Sequence, residues 1–181
     1  PFGGRFDGAT VMMPEHFRDF ARYNTWVNRR LYGACAQLSD EDYRKDRKAF
    51  FHSIHNTLNH ILIGERIWLA RLTKTDHGVK TLDEILYDDF AALRGAREAE
   101  DARLERYVDS LDGAQLASIL SYKTMAGPMG ALPVATILSH LFNHQTHHRG
   151  QVHVMLTQTN VPAPQLDFLY YAMENAGQKR S

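Results

Sequence analysis

The chain has 181 residues, 44% hydrophobic and 23% charged, with a formal net charge of zero and a pI near 7.6. That suffices for one domain with a real core, and the balanced charge gives no sign of a nucleic-acid or acidic-membrane partner. No apolar run approaches the roughly 18–20 residues that cross a bilayer, and the single cysteine, Cys35, excludes an internal disulfide, so a cytoplasmic protein is expected.

Residues 1–13, with three glycines in the first eight positions, read as a flexible leader without the charged-then-apolar order of a signal peptide. Residues 14–176 read as one helical domain and residues 177–181 as a polar tail. Pro14-Glu15 opens the first helix. Phe17, Phe20, Ala21, Trp26, Val27, Leu31 and Ala34 then recur at helical spacing to about Gln37. Cys35, between two alanines, reads as a small packed residue rather than a reactive thiol. Asn24 and Asn28 are four apart and share a face. They could point two amides into one polar pocket, although the simpler reading leaves them solvated or bonded to backbone.

A short helical turn is expected at residues 38–42, followed by a polar connection. A second long helix is expected from Phe50 to Leu72, with Ile54, Leu58, Ile61, Leu62, Trp68 and Leu69 on its apolar face. His60 lies on its flank, and His52 and His55 read as solvated. After a polar loop, Leu82, Ile85, Leu86, Phe90 and Leu93 predict a third helix running to Leu111. Its charged middle, Arg94–Arg106, reads as a solvated face. Residues 116–133 carry Gly127-Pro128, Gly130 and Pro133, which suit irregular chain or a short two-stranded hairpin. A last long helix then runs to about Thr159, and a short terminal helix covers 167–175. Four long helices with little strand signal predict an all-α four-helix bundle.

Four of the ten histidines fall within one stretch of the last long helix, S-H-L-F-N-H-Q-T-H-H-R-G-Q at residues 139–151. His140, His144 and His148 form a ladder of i, i+4 steps on one face. Two imidazoles at this spacing can chelate one divalent ion, but a third ligand must come from elsewhere. The H-E-x-x-H protease pattern has the same spacing with a glutamate after the first histidine. Gln145 stands there and cannot act as a base. A di-iron bundle would need Glu-x-x-His motifs and inward glutamates, and none is present.

Three segments resemble the DinB family and its YfiT-like relatives: Y-N-T-W-V-N at 23–28, L-N-H-I-L-I-G-E-R-I-W at 58–68 and F-N-H-Q-T-H-H-R-G-Q at 142–151. Order and spacing agree from about Glu15 to Glu174. The resemblance implies a mononuclear divalent-metal site built from His60, His144 and His148, with zinc or nickel as the leading ions and iron as a further one. It also implies a pairing of two copies into a homodimer. His147, Asn24, Asn28, Arg149 and Gln151 are then expected to support or shape the pocket, while His140 has no assigned role. Better-understood relatives are S-transferases or isomerases that use a low-molecular-weight thiol, so the expected activity is metal-dependent activation of such a thiol toward a small-molecule substrate. The alternatives are a non-enzymatic stress-related metal-binding or interaction module, and a hydrolase. Hydrolysis requires a general base, and Glu65 is the nearest acidic residue, although a pairing with a basic residue suits it better.

Overall fold

Side-chain caps and backbone turns set the ends of the helices. The computed structural model describes residues 14–178, so the expected leader and residues 179–181 of the expected tail lie outside the described residues. Four long helices, α1 (Pro14–Cys35), α3 (Ile54–Thr73), α4 (Phe90–Asp109) and α6 (Val134–Leu156), form the bundle. Shorter helices are α2 (Asp40–Arg44), α5 (Gly113–Ala117) and α7 (Phe168–Gln178). Ser53 accepts from the Asn56 amide at 3.1 Å to begin α3, and Asp89 accepts from the Ala92 amide at 2.7 Å to begin α4. Lys74, at φ 55°, ends α3 in the left-handed region. Strands β1 (Ile119–Lys123) and β2 (Met129–Pro133) pair antiparallel, Leu120 opposite Leu132 and Tyr122 opposite Gly130. This is the expected all-α bundle with a hairpin before the last long helix. No helix among the described residues is long and apolar enough to cross a membrane.

Each long helix packs against two others: α1 on α4 and α6, and α3 on α6 and α4. The apolar core is divided along the bundle. Phe17, Leu69, Leu104, Val108, Leu138 and Leu141 fill one end, and Leu31, Leu58, Leu62, Leu93, Val152 and Met155 fill the other. Between them, all four helices contribute polar residues at one level: Asn24 and Asn28 from α1, Glu65 from α3, Arg97 and Asp101 from α4, and Gln145 and Arg149 from α6. All seven are buried. Arg97 pairs with Glu65 and, at 3.1 Å, with Asp101. Both asparagines donate to Asp101, at 3.1 and 2.9 Å, and Gln145 donates to Glu65 at 2.9 Å. Pairing and hydrogen bonding offset the cost of burying Arg97, Glu65 and Asp101 so deeply.

Four expectations are corrected here. The third helix begins at Phe90, not Leu82. Asn59 clamps the backbone of Tyr87, donating to its carbonyl at 3.1 Å and accepting from its amide at 3.0 Å, and so holds residues 82–89 out of the helix. The charged middle of that helix is not wholly solvated, because Arg97, Glu100 and Asp101 face the core. His55 is buried and stacks on Tyr43 at 5.2 Å, whereas His52 is exposed. Asn24 and Asn28, for which solvation was the simpler expectation, both belong to the buried polar layer.

Candidate metal centre

The middle of α3 and the middle of α6 pack together, and they bring His60 against His144 and His148. The Nε2 atom of His60 lies 3.3 Å from Nε2 of His144 and 3.2 Å from Nε2 of His148. The three ligand nitrogens all fall within 4.8 Å of one another. The close approach depends on Gly64, one turn beyond His60. A Cβ there would stand 2.8 Å from Cε1 of His144. Phe51 stacks on the His60 ring at 3.9 Å between centroids and meets His148 edge-on at 5.6 Å, closing one side with an apolar wall.

The outer nitrogens fix the chemistry of the inner ones. Nδ1 of His60 is 2.8 Å from the Leu82 carbonyl oxygen, and Nδ1 of His148 is 2.8 Å from Oε1 of Gln151. Both oxygens only accept, so both Nδ1 atoms carry the proton and both Nε2 atoms present lone pairs. His60 and His148, so arranged and neutral, cannot hydrogen-bond to each other through Nε2. Burial pushes His144 down to about 3, with the neighbouring histidines adding to the effect. It pushes His148 down to about 4 despite the Gln151 contact. His60 is also lowered by burial, against the pull of the Leu82 carbonyl. The cluster is therefore a set of uncharged donors facing a common point. For a tetrahedral ion with metal–nitrogen bonds of about 2.0–2.1 Å, neighbouring ligand nitrogens sit about 3.3 Å apart. The residues present fit a divalent ion of the imidazole-seeking class.

The DinB family profile matches residues 13–180. The chain belongs to the DinB family. This DinB-family chain is similar to protein DinB of Bacillus subtilis (strain 168), with 29% identity over 162 residues, covering 84% of this chain and 94% of that protein. Its fold is similar to the crystal structure of a DinB-like protein from Bacillus cereus ATCC 10987. The TM-score is 0.62 and the identity 19%, over 81% of this chain and 94% of the other.

The remaining expected site residues divide into two groups in this DinB-family bundle. Gln151 touches the cluster directly through His148, and it reaches His147 at 3.3 Å on its other side. His147 is thus an exposed residue joined to the cluster through Gln151. Asn24, Asn28 and Arg149 lie in the polar layer, where none of their hydrogen bonds reaches the three histidines. The reason is helical: Arg149 follows His144 by five residues, about 140° round α6. Glu65 is turned the same way, into Arg97, Asn24 and Gln145. His140 is exposed, its ring 5.9 Å from that of His144 and 5.3 Å from that of Trp68. Cys35 is buried in the core, and burial pushes its thiol up to about 12, as suits a packed residue. Sequence reasoning missed Phe51, Leu82 and the contact role of Gly64. Only Gly64 left a signal, as a glycine inside a helix one turn from a candidate ligand.

Proposed function

We propose that this protein is a metal-dependent enzyme in which His60, His144 and His148 hold one divalent ion. The observation that carries the reading is the meeting of three Nε2 atoms, those of His144 and His148 lying 3.3 and 3.2 Å from that of His60, with two of the outer nitrogens committed to carbonyl oxygens. A three-histidine ion keeps open coordination positions, and when bound it supplies Lewis acidity toward a thiol or water. The chain itself supplies orientation and dryness. Leu82 and Gln151 hold two imidazoles in one tautomer, and Phe51 covers the His60 ring. His144, the least buried of the three, marks the side from which a substrate would approach.

Thiol transfer is favoured over hydrolysis by the setting of Glu65. Its carboxylate is taken by Arg97, Asn24 and Gln145, so the acidic residue nearest in sequence to His60 is withheld from work as a base. A low-molecular-weight thiol would bring its own nucleophile and needs only to lose its proton on binding.

The test is metal analysis of protein purified without added metal, in parallel with His60→Ala, His144→Ala, His148→Ala and His147→Ala. About one ion per chain is expected in wild type and His147→Ala, and little in the other three. A wild type that takes up neither zinc nor nickel ends the metal reading. A loaded protein inactive toward every thiol and electrophile pair screened favours a metal-binding module instead.

A further inference from the structure

On the face of α6 turned away from the histidines, a second cavity of about 300 Å³ is lined by Tyr23, Thr146, Arg149, Gly150, Leu166 and Asp167, among others. That size is at the lower end for small-molecule sites. Arg149 lies on its wall and is only 2% exposed. Yet no carboxylate among the described residues lies within salt-bridge distance of it. Both candidates in the polar layer, Glu65 and Asp101, are taken by Arg97. Arg149 has neutral partners only: Nη1 donates to the side-chain oxygens of Asn24 and Asn28, and Nη2 donates to the Thr146 hydroxyl at 3.2 Å. A buried guanidinium with no carboxylate in contact is costly.

The donors left over have a defined shape. Nη1 has spent both hydrogens and Nη2 one. Neither Nε–H nor the second Nη2 hydrogen has a partner among the described residues other than the neighbouring Tyr23 hydroxyl, which bears on the guanidinium. Nε–H and one Nη2 hydrogen form one edge of the planar guanidinium, the fork that takes a carboxylate through two parallel hydrogen bonds. Tyr23 donates its hydroxyl to the Leu166 carbonyl at 2.6 Å and keeps acceptor capacity. At the rim Asp167 is exposed and suits a cation. His153 is the other basic lining residue. A single buried guanidinium and an exposed carboxylate lining one small cavity match a molecule carrying both charges. A phosphate dianion would meet Asp167 as a like charge.

We propose that this cavity binds a small zwitterion of the free amino-acid class, its carboxylate on Arg149 and its ammonium on Asp167. The site is separate from the three histidines and needs no metal.

The probe is L-alanine, with acetate and inorganic phosphate as comparison arms, titrated into the whole protein while the Nε–Hε resonance of Arg149 is followed by NMR. Because Arg149 is built into the polar layer, the blocking variant is Gly150→Phe. Gly150 lines the cavity and a Cβ there meets nothing within 4 Å, so a side chain can start from it without a clash. The expected result is a saturable shift with L-alanine that weakens by about tenfold or more in Gly150→Phe and in Asp167→Ala, with acetate weaker than L-alanine in wild type. No saturable shift in wild type would overturn the proposal. So would binding that survives Gly150→Phe in a variant shown to be folded. Phosphate binding in preference to L-alanine would also overturn it, as would acetate matching L-alanine.

Discussion

Gly64 decides whether three histidines can meet. An added Cβ would stand 2.8 Å from Cε1 and 3.2 Å from Nδ1 of His144, closer than side-chain carbons are found, so the imidazole must move. Substituting alanine for glycine inside a helix is otherwise favourable by about 1 kcal/mol, so the backbone gains while the site loses. Gly64→Ala is therefore expected to leave the metal-free protein folded, with unchanged or slightly higher thermal stability. It should weaken metal binding by roughly 10–100-fold, the scale seen when a ligand's supporting contacts are altered. Competition against a chelator measures this, with Gly150→Ala as the control because its added Cβ meets open space. Equal affinity in Gly64→Ala and wild type would mean that His144 is not a ligand in the position shown.

Helix α4 shows where a sequence reading of elements succeeds and where it does not. Its buried stripe is Leu93, Arg97, Glu100 and Asp101, Leu104 and Val108, a helical period of three and four with charges in the middle. A reading that admits only apolar residues to a core face sees Leu93 and Leu104 and assigns the charges between them to solvent. What reverses the assignment is Glu65, on another helix, and no local pattern announces that pairing. Leu82 to Phe90 is the converse case. Its apolar spacing imitates a helix turn, but the clamp from Asn59 to Tyr87 comes from a distant segment. The histidine ladder was legible because one helix fixes it, whereas His60 needed a family resemblance to be singled out. The polar layer gives a sharp prediction at this scale. Arg97→Leu strands Glu65 and Asp101 without their cation, which should cost about 3–5 kcal/mol in urea unfolding near neutral pH. Arg94→Leu, which removes an exposed pair with Glu98, should cost about 1 kcal/mol or less. Burial raises the Glu65 carboxyl to about 7, and Arg97 is the main influence opposing that rise. In the variant Glu65 can relieve its burial by taking a proton, so the penalty should shrink as the pH is lowered. A penalty independent of pH would place the cost in packing instead of charge.

At the scale of the whole molecule, the cluster couples folding and metal binding to pH in opposite ways. His144 and His148 are held down to about 3 and about 4 in the fold, against 6.5 for an unperturbed histidine. As the pH falls from about 6.5 toward 4, the unfolded chain gains protons at these positions while the folded chain does not. The metal-free protein must therefore lose stability across that window. The folded site, however, meets little proton competition there at His144 and His148, and burial lowers His60 as well. Metal affinity per folded chain is expected to hold nearly constant from about pH 7 to about pH 5.5, where three unperturbed histidines would already lose it steeply. Direct titration with zinc at both pH values separates the two effects, because it reads only molecules that are folded, while thermal unfolding of the metal-free protein reads the other. A steep loss of affinity just below pH 6.5 would mean that the imidazoles are solvated, and that the packing of Phe51 and Gly64 does not keep water from them. A flat affinity beside falling stability would tie the dryness of the site to its readiness for metal, since the same burial that makes the empty cluster a burden to the fold keeps its three nitrogens free of protons.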